Sequence, residues 1–209
     1  MKPHMKPLLG ERMLVGVTGS PSAMTMPQYV LMMRRNLATE VRVMMSRGAQ
    51  RFVKPYTMRL FAGGHVFTEL DEIADGVQVP HIDLVAGIDL FLIMPATANV
   101  IGKAANGICD DLISTAIVAC EAPVVLVPAM NGAMWRSSAV RGNVERCRSH
   151  GYHVIEPSIG LQLADLNQAI GVMPPLEHIL EQLMTIVGDA RRARGAAAEA
   201  AREPGSVTR

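Results

Sequence analysis

The sequence predicts a single α/β domain built on a doubly wound parallel sheet. Short apolar runs rich in Val, Ile and Leu alternate with longer helix-like segments, as in sheets that are buried on both faces. A length of 209 residues also suits one domain. We predict strands over 13–17, 41–45, 89–95, 123–129 and 151–157.

Helix-like segments follow each of these strands. We predict helices up to about residue 37, around 47–53, over 98–120 with a break at Asn106-Gly107, over 136–149 and over 175–190. This alternation of strand and helix favours parallel pairing with crossover helices on both faces of the sheet.

The chain is expected to divide into three parts. Residues 1–12 are predicted to be a flexible leader, and 13–188 to form the domain. Residues 189–209 are mostly Ala, Arg and Glu without an apolar face, which is typical of a frayed helix or a disordered tail.

Composition excludes several classes of function. The formal charge is +1 and no basic stripe precedes the tail, so no nucleic-acid partner is expected. No apolar run reaches membrane-spanning length and the start lacks a signal-peptide core, so we expect a cytoplasmic protein with no membrane partner. Three cysteines without a CxxC pair predict neither disulfides nor zinc, and 15 methionines suggest buried contacts between subunits.

In open parallel sheets, ligands bind beyond the carboxyl ends of the strands. That edge is predicted to contain Ser46 and the segments after the first, third and fourth strands. Gly19 and Ser20 open a helix after the first strand, so their amides and hydroxyl suit a phosphate. A plain turn with an N-cap is the alternative, because the full GxGxxG pattern is absent.

After the third strand, the small and polar stretch PATAN begins a helix. Ala98 leaves room for a flat ligand, while Thr97 and Asn99 offer hydrogen bonds. Helix N-capping by Thr97 explains the same stretch equally well.

The stretch PAMNGAMW, residues 128–135, follows the fourth strand and includes the single tryptophan. The Asn131 amide can donate to a carboxylate, beside an apolar wall of Met130, Met134 and Trp135. The alternative is a core patch in which Asn131 is an N-cap.

His81 follows a proline in the stretch VPHIDL. An imidazole titrates near neutral pH, so this residue is a candidate proton acceptor, with a structural role as the alternative. The histidines lack the spacing of metal ligands, and no metal site is predicted.

Taken together, these stretches resemble the flavin-containing cysteine decarboxylase family over roughly residues 13–180. The resemblance depends on GVTGS at 16–20, PHIDL at 80–84, PATAN at 95–99 with its continuation to Leu112, and PAMNGAMW at 128–135. The family patterns are a histidine after Pro or a similar residue, PASANT and PxMNxxMW, and they occur here in that order. The second pattern is altered mildly, with Thr97 and Val100 in place of serine and threonine.

The resemblance implies a Rossmann-like (flavodoxin-like) subunit that binds FMN and assembles as homotrimers, often packed into dodecamers. The flavin would lie between neighbouring subunits. By match, His81 is implied as the active-site base and Asn131 as the residue that holds the substrate carboxylate, with Met130, Met134 and Trp135 beside the substrate. The implied flavin-site residues are Gly19, Ser20, Ser46, Thr97, Ala98 and Asn99.

Within the family, the lantibiotic peptidyl-cysteine decarboxylases are the favoured branch. Their reaction is the oxidative decarboxylation of the C-terminal cysteine of a ribosomally made precursor peptide. It gives an enethiol for aminovinyl-cysteine formation, and residues around 155–170 would form a mobile clamp over the peptide.

Four alternatives to this branch stay open, one of them an inactive oligomeric shell protein without flavin. Phosphopantothenoylcysteine decarboxylases of coenzyme A biosynthesis go on to reduce the enethiol with a cysteine in Gly-x-Leu-Ala-Cys-Gly. Here Asp165 and Leu166 replace that cysteine and the following glycine, so the reduction is not expected. Flavin prenyltransferases lack PxMNxxMW. A flavin-binding regulatory subunit could lose the base, whereas this chain retains both His81 and Asn131.

Overall fold

The computed structural model describes residues 9–163 and 166–200, with the backbone alone for 197–200. A parallel sheet runs through the domain in the order β3-β2-β1-β4-β5-β6. This order is the Rossmann order, and without the short β3 it becomes the flavodoxin order. The predicted fold class is confirmed. The strands are β1 (Gly10–Val17), β2 (Ala38–Met45), β3 (Val66–Phe67), β4 (Leu90–Ala96), β5 (Val124–Pro128) and β6 (His153–Val154).

Helices cover both faces of the sheet, and an antiparallel hairpin lies outside it. The hairpin strands are β7 (Ser158–Leu161) and β8 (Gln168–Val172). The helices are α1 (Met26–Asn36), α2 (Pro55–Ala62), α3 (Pro80–Asp83), α4 (Ala98–Asn106), α5 (Leu112–Ala119), α6 (Gly132–Arg136), α7 (Ser138–Ser149) and α8 (Leu176–Ala200), with short 3-10 helices at Pro21–Thr25 and Ala49–Arg51.

The sheet is buried on both faces because neighbouring residues of each strand point to opposite sides. On one face Val15 and Leu92 pack with residues of α1 and α8. On the other face Leu14 and Phe91 pack with residues of α4, α5 and α7. In the part of the chain described, no helix combines the length and the apolar character needed to cross a membrane.

Several boundaries differ from the sequence predictions. Strand β1 begins at Gly10, because Gly10 pairs with Ala38 in the sheet and Leu9 before it is buried, so residues 10–12 do not belong to a flexible leader. The predicted helix break is confirmed at Gly107, whose φ of 64° ends α4. Helix α8 continues past 190 to Ala200, so the first part of the predicted tail is helical. Residues 1–8 and 201–209 of the predicted leader and tail lie outside the described chain.

The sequence analysis missed β3, α2, α3 and the hairpin. Strand β3 has two residues and α3 has four, which is too short for a periodic pattern. The hairpin strands are only partly buried, and the apolar residues of β7, Ile159 and Leu161, are its exposed ones, so the strands lack the usual pattern of an apolar face turned to a core.

Candidate functional site

The site begins where β1 and β4 end side by side. From β1 the chain continues to β2 on one side, while β4 lies on the other, so a crevice opens between the two connections. Thr18 joins both strand ends: its hydroxyl donates to the Pro95 carbonyl at 2.7 Å and accepts from the Thr97 amide at 3.0 Å. Thr18 is 3% exposed, so these bonds are shielded from water.

Tight turns line this crevice. A Cβ on Gly19 would lie 2.9 Å from the backbone of Gly48, so only glycine allows this approach. Ser20 caps the 3-10 helix that follows it, accepting from the Ser22 amide, and Thr97 caps α4. The alternative N-cap assignments for Ser20 and Thr97 are therefore confirmed, and the same residues also line the cavity.

A cavity of about 700 Å³ occupies the crevice. This volume lies within the range of ordinary ligand and cofactor sites. All the residues predicted for the flavin line it, namely Gly19, Ser20, Ser46, Thr97, Ala98 and Asn99. Met130, Asn131 and Met134 line the same cavity. The structure thus brings together residues from widely separated parts of the sequence.

The side chain of Asn131, which lines the cavity, has a fixed orientation. It is the N-cap of α6, and its Oδ1 accepts from the Ala133 amide at 2.8 Å. Its Nδ2 donates to Oε1 of Gln162 at 2.8 Å. Capping and cavity lining are again compatible, because Asn131 lines the cavity while its side chain caps the helix.

The hairpin packs closely against the segment that contains Asn131. The Met130 amide donates to the Gly171 carbonyl at 2.9 Å. Gly171 has a φ of 126°, and a Cβ there would lie 2.4 Å from the Met130 carbonyl oxygen. A Cβ on Gly132 would meet the Ile170 carbonyl at 2.8 Å. The two backbones are thus in direct contact, which only glycines permit.

Residues of the hairpin close one side of the cavity. Leu161, Gln162 and Leu163 line it, although the sequence analysis placed only a general clamp around 155–170. Gln162 in particular was missed. Asp165, which replaces a cysteine of the related reductive pattern, lies outside the described residues.

Trp135 occupies a different environment from the one predicted. It is 3% exposed and packs in the hydrophobic core, with the Arg141 guanidinium 4.8 Å from its ring centroid. It does not line the cavity, whereas Met134 does and is 47% exposed. Helix α6 therefore turns Met134 towards the cavity and Trp135 into the core.

His81 is also outside the cavity of its own chain. It lies in α3, and its Nδ1 is buried without a hydrogen-bond partner among the described residues. Asp83 organises the start of this helix by accepting from the Val79 and Gln78 amides, both at 2.8 Å, and these bonds lower the pKa of its carboxyl. The structure does not bring His81 to Asn131 within one chain.

A charged cluster that the sequence analysis did not single out lies at the cavity edge. The Lys103 ammonium is 2.6 Å from carboxylate oxygens of both Asp110 and Asp111. Burial alone would lower the pKa of Lys103, but the hydrogen bonds to the two aspartates outweigh it and raise that pKa. Asp111 also caps α5 in a reciprocal capping box with Ser114. Lys103 and Asp111 both line the cavity.

The described cysteines are not placed for catalysis. Burial raises the pKa of the Cys120 and Cys147 thiols to about 11, so both are protonated at neutral pH. Cys109 is exposed, and none of the three lines the cavity described above. Within the described ranges, no group of three or more His, Cys, Asp or Glu is arranged to hold a metal ion.

Comparison with known proteins gives one family match, to the family described as Flavoprotein, over residues 1–188. The chain is 33% identical over 150 residues to the mersacidin decarboxylase of Bacillus sp. (strain HIL-Y85/54728), covering 72% of this chain and 75% of that protein. It is 42% identical over 120 residues to the coenzyme A biosynthesis bifunctional protein CoaBC of Bacillus subtilis (strain 168). That match covers 57% of this chain and only 30% of the bifunctional protein.

Among solved structures, the FMN-dependent cysteine decarboxylase SpaF has a similar fold. The TM-score is 0.72 at 32% identity, covering 86% of this chain and 98% of SpaF.

Proposed function

Because the chain belongs to the Flavoprotein family, we propose that it is an FMN-dependent decarboxylase that acts on the C-terminal cysteine of a precursor peptide. The observation that carries this proposal is the cavity at the β1–β4 switch point, whose lining includes both the proposed flavin residues and Asn131.

The cavity fits the two ends of FMN. The turn at Gly19 and Ser20 and the first residues of α4, Ala98 and Asn99, offer backbone amides and the positive end of a helix dipole to a phosphate. Ala129 and Met130 leave an apolar surface for a flat ring. When bound, FMN supplies the two-electron oxidation of the cysteine, which no side chain of the cavity can perform.

Asn131 is the proposed holder of the substrate carboxylate. An uncharged amide donor binds a carboxylate without the cost of burying a second charge. Held in this way, the carboxylate stays next to the oxidised carbon until carbon dioxide leaves, and the electron pair then remains in the enethiolate.

We infer that His81 completes the cavity of a neighbouring subunit. Its own cavity does not include it, and Val79 and Ile82 beside it are about half exposed although apolar. Such a surface is typical of a protein interface. In the assembly, His81 would accept and return the proton of the substrate thiol. A homotrimer or a dodecamer built from trimers would supply such neighbours, with each subunit contributing to two sites.

Subunit complementation tests this arrangement. His81→Asn and Asn131→Asp chains carrying different tags are inactive separately, and co-expressed chains are isolated through both tags. If the residues meet across an interface, about one site in three is intact in the tag-selected mixed trimers, and about one in four in randomly mixed dodecamers. Mixed assemblies with no more turnover than the single variants would contradict the shared site. Each variant prepared alone with bound FMN is the control.

The peptide branch is favoured by the exposed surface of the hairpin and by the sequence of the hairpin loop. Leu161 and Leu163 line the cavity while 52% and 68% exposed, so they present an open apolar surface to an extended substrate. Asp165 replaces the thiol that a reductive final step requires. Phosphopantothenoylcysteine decarboxylation is the second candidate, because the bifunctional CoaBC protein is a relative.

Mass spectrometry distinguishes the two candidates. The protein is loaded with FMN and incubated with a library of synthetic peptides that end in cysteine, and separately with phosphopantothenoylcysteine. We expect peptides to lose about 46 Da, the mass of carbon dioxide and two hydrogens. Conversion of phosphopantothenoylcysteine alone would instead support the coenzyme A candidate, and a colourless protein that cannot be loaded with FMN would overturn both.

A further inference from the structure

We propose that Gln162 is a positioning residue that sets the orientation of the Asn131 amide for the substrate carboxylate. The inference depends on the proposed role of Asn131 and extends it to the hairpin. Gln162 is 8% exposed and is one of the few polar side chains that the described core encloses.

Two hydrogen bonds fix the Gln162 amide. Its Nε2 lies 3.4 Å from the Ile170 carbonyl, which can only accept. The Oε1 atom is therefore directed towards Asn131 and accepts from its Nδ2 at 2.8 Å. If the Gln162 amide were flipped, its Nε2 would face Nδ2 of Asn131, and both are donors. Its Oε1 would then face the Ile170 carbonyl oxygen, and both are acceptors.

The backbone of the hairpin loop holds Gln162 in this place. The Gln162 amide donates to the Asn167 carbonyl, and the Leu166 amide donates to the Gln162 carbonyl, both at 2.9 Å. Gly132 allows the close approach, because a Cβ there would lie 2.9 Å from Nε2 of Gln162.

The consequence concerns the Asn131 amide. The Ala133 amide already selects Oδ1 as its partner, and Gln162 selects Nδ2, so both contacts demand the same orientation. One Nδ2 proton is used by Gln162, and the second remains for the substrate carboxylate. Hairpin docking and carboxylate binding are thereby coupled through a single side chain.

The test uses analogues of the peptide that wild-type protein converts best, in which alanine replaces the terminal cysteine. Alanine has no thiol that FMN could oxidise, so binding to the FMN-loaded protein is measured without turnover. The analogues carry either a free terminal carboxylate or a terminal amide. Wild-type protein should prefer the free acid, and Gln162→Met, which keeps the length of the side chain but no hydrogen bonds, should reduce this preference about tenfold.

A double-mutant cycle separates positioning from mere support of the fold. In an Asn131→Ala background, Gln162→Met should change the acid-over-amide preference no further. A purely structural role would weaken binding of acid and amide alike. Gln168→Met is the matched control, because Gln168 is exposed on the same hairpin and does not line the cavity. FMN content and the thermal midpoint report whether each variant is folded.

The outcomes are distinct from those of the proposed function. An unchanged preference in Gln162→Met, with wild-type protein still preferring the free acid, overturns the role of Gln162 alone. An equal loss for acid and amide does the same. Wild-type protein that binds both analogues equally overturns the role of Asn131, and the inference about Gln162 with it.

Discussion

The two walls of the cavity are built in different ways. The strand-end rim, residues 18–20, 46–48 and 97–99, is continuous with the buried ends of β1, β2 and β4, and Thr18 within it is 3% exposed. The hairpin, residues 158–163 and 166–172 of the described chain, leaves Ile159 and Leu163 72% and 68% exposed. The rim is therefore fixed by the sheet, whereas the hairpin is held mainly where it contacts Met130–Gly132. We infer that the rim is a preformed cofactor wall and the hairpin an adaptable substrate wall.

The largest effect is expected at the junction of the two walls. Asn131→Asp puts a like charge against the substrate carboxylate and should lower kcat/KM about 100-fold or more. FMN content should stay close to that of wild-type protein. Steady-state kinetics measures the change, with Asn143→Asp on α7 as the control. If Asn131→Asp left kcat/KM unchanged, the carboxylate would be held elsewhere.

The next effect concerns the docking of the hairpin. Gly171→Ala combines a φ of 126° with a Cβ 2.4 Å from the Met130 carbonyl, so the hairpin must shift. Peptide turnover should fall about tenfold, because a displacement of this size disturbs the alignment of substrate groups. Gly142→Ala, where a Cβ meets nothing within 4 Å, should be harmless. Equal turnover in the two variants would mean that hairpin docking is not needed.

A substitution in the rim should lower both the stability of the fold and the affinity for the cofactor. Thr18→Val removes the hydroxyl that joins Pro95 to Thr97 and leaves both backbone groups without that partner. The free energy of unfolding should fall by about 1–3 kcal/mol, with a matching loss of bound FMN. Denaturant unfolding and flavin absorbance measure both, against Thr185→Val on the surface of α8. A Thr18→Val protein with normal FMN affinity would show that the rim does not depend on this link.

The smallest effect is expected on the exposed side of the hairpin. Leu163→Ser removes an apolar contact to the peptide and should raise KM about threefold without changing FMN affinity. Leu166→Ser is matched in type and exposure but does not line the cavity, so it should change KM less. Similar KM values for both variants would mean that the peptide does not contact the side of the hairpin that lines the cavity.

The same contrast explains which parts of the fold were predictable. The central strands are short apolar runs, because both faces of the sheet are covered, and this pattern is visible in sequence. The break at Gly107 was likewise visible as Asn106-Gly107. Strand β3 and the hairpin were not, since their residues are few or only partly buried and carry no clear period.

The residues of the site likewise divide into those that the sequence predicts and those that it does not. Gly19, Thr97 and Asn131 come within three residues of the ends of β1, β4 and β5, so the topology alone gathers them at one edge of the sheet. Gln162 reaches Asn131 only through the tertiary docking of the hairpin, which no local pattern indicates. His81 is separated from the cavity of its own chain, and its role in a neighbouring cavity remains a prediction that the subunit experiment tests.

Asp111 limits how this protein can be redesigned. The one carboxylate caps the N-terminus of α5, neutralises Lys103 together with Asp110 and contributes to the polarity of the cavity. A substitution meant to retune the redox environment at that point would also fray α5 and release a cation beside the ligand. Changes in cofactor electronics are therefore more accessible at Met134, whose side chain is partly exposed and also lines the cavity.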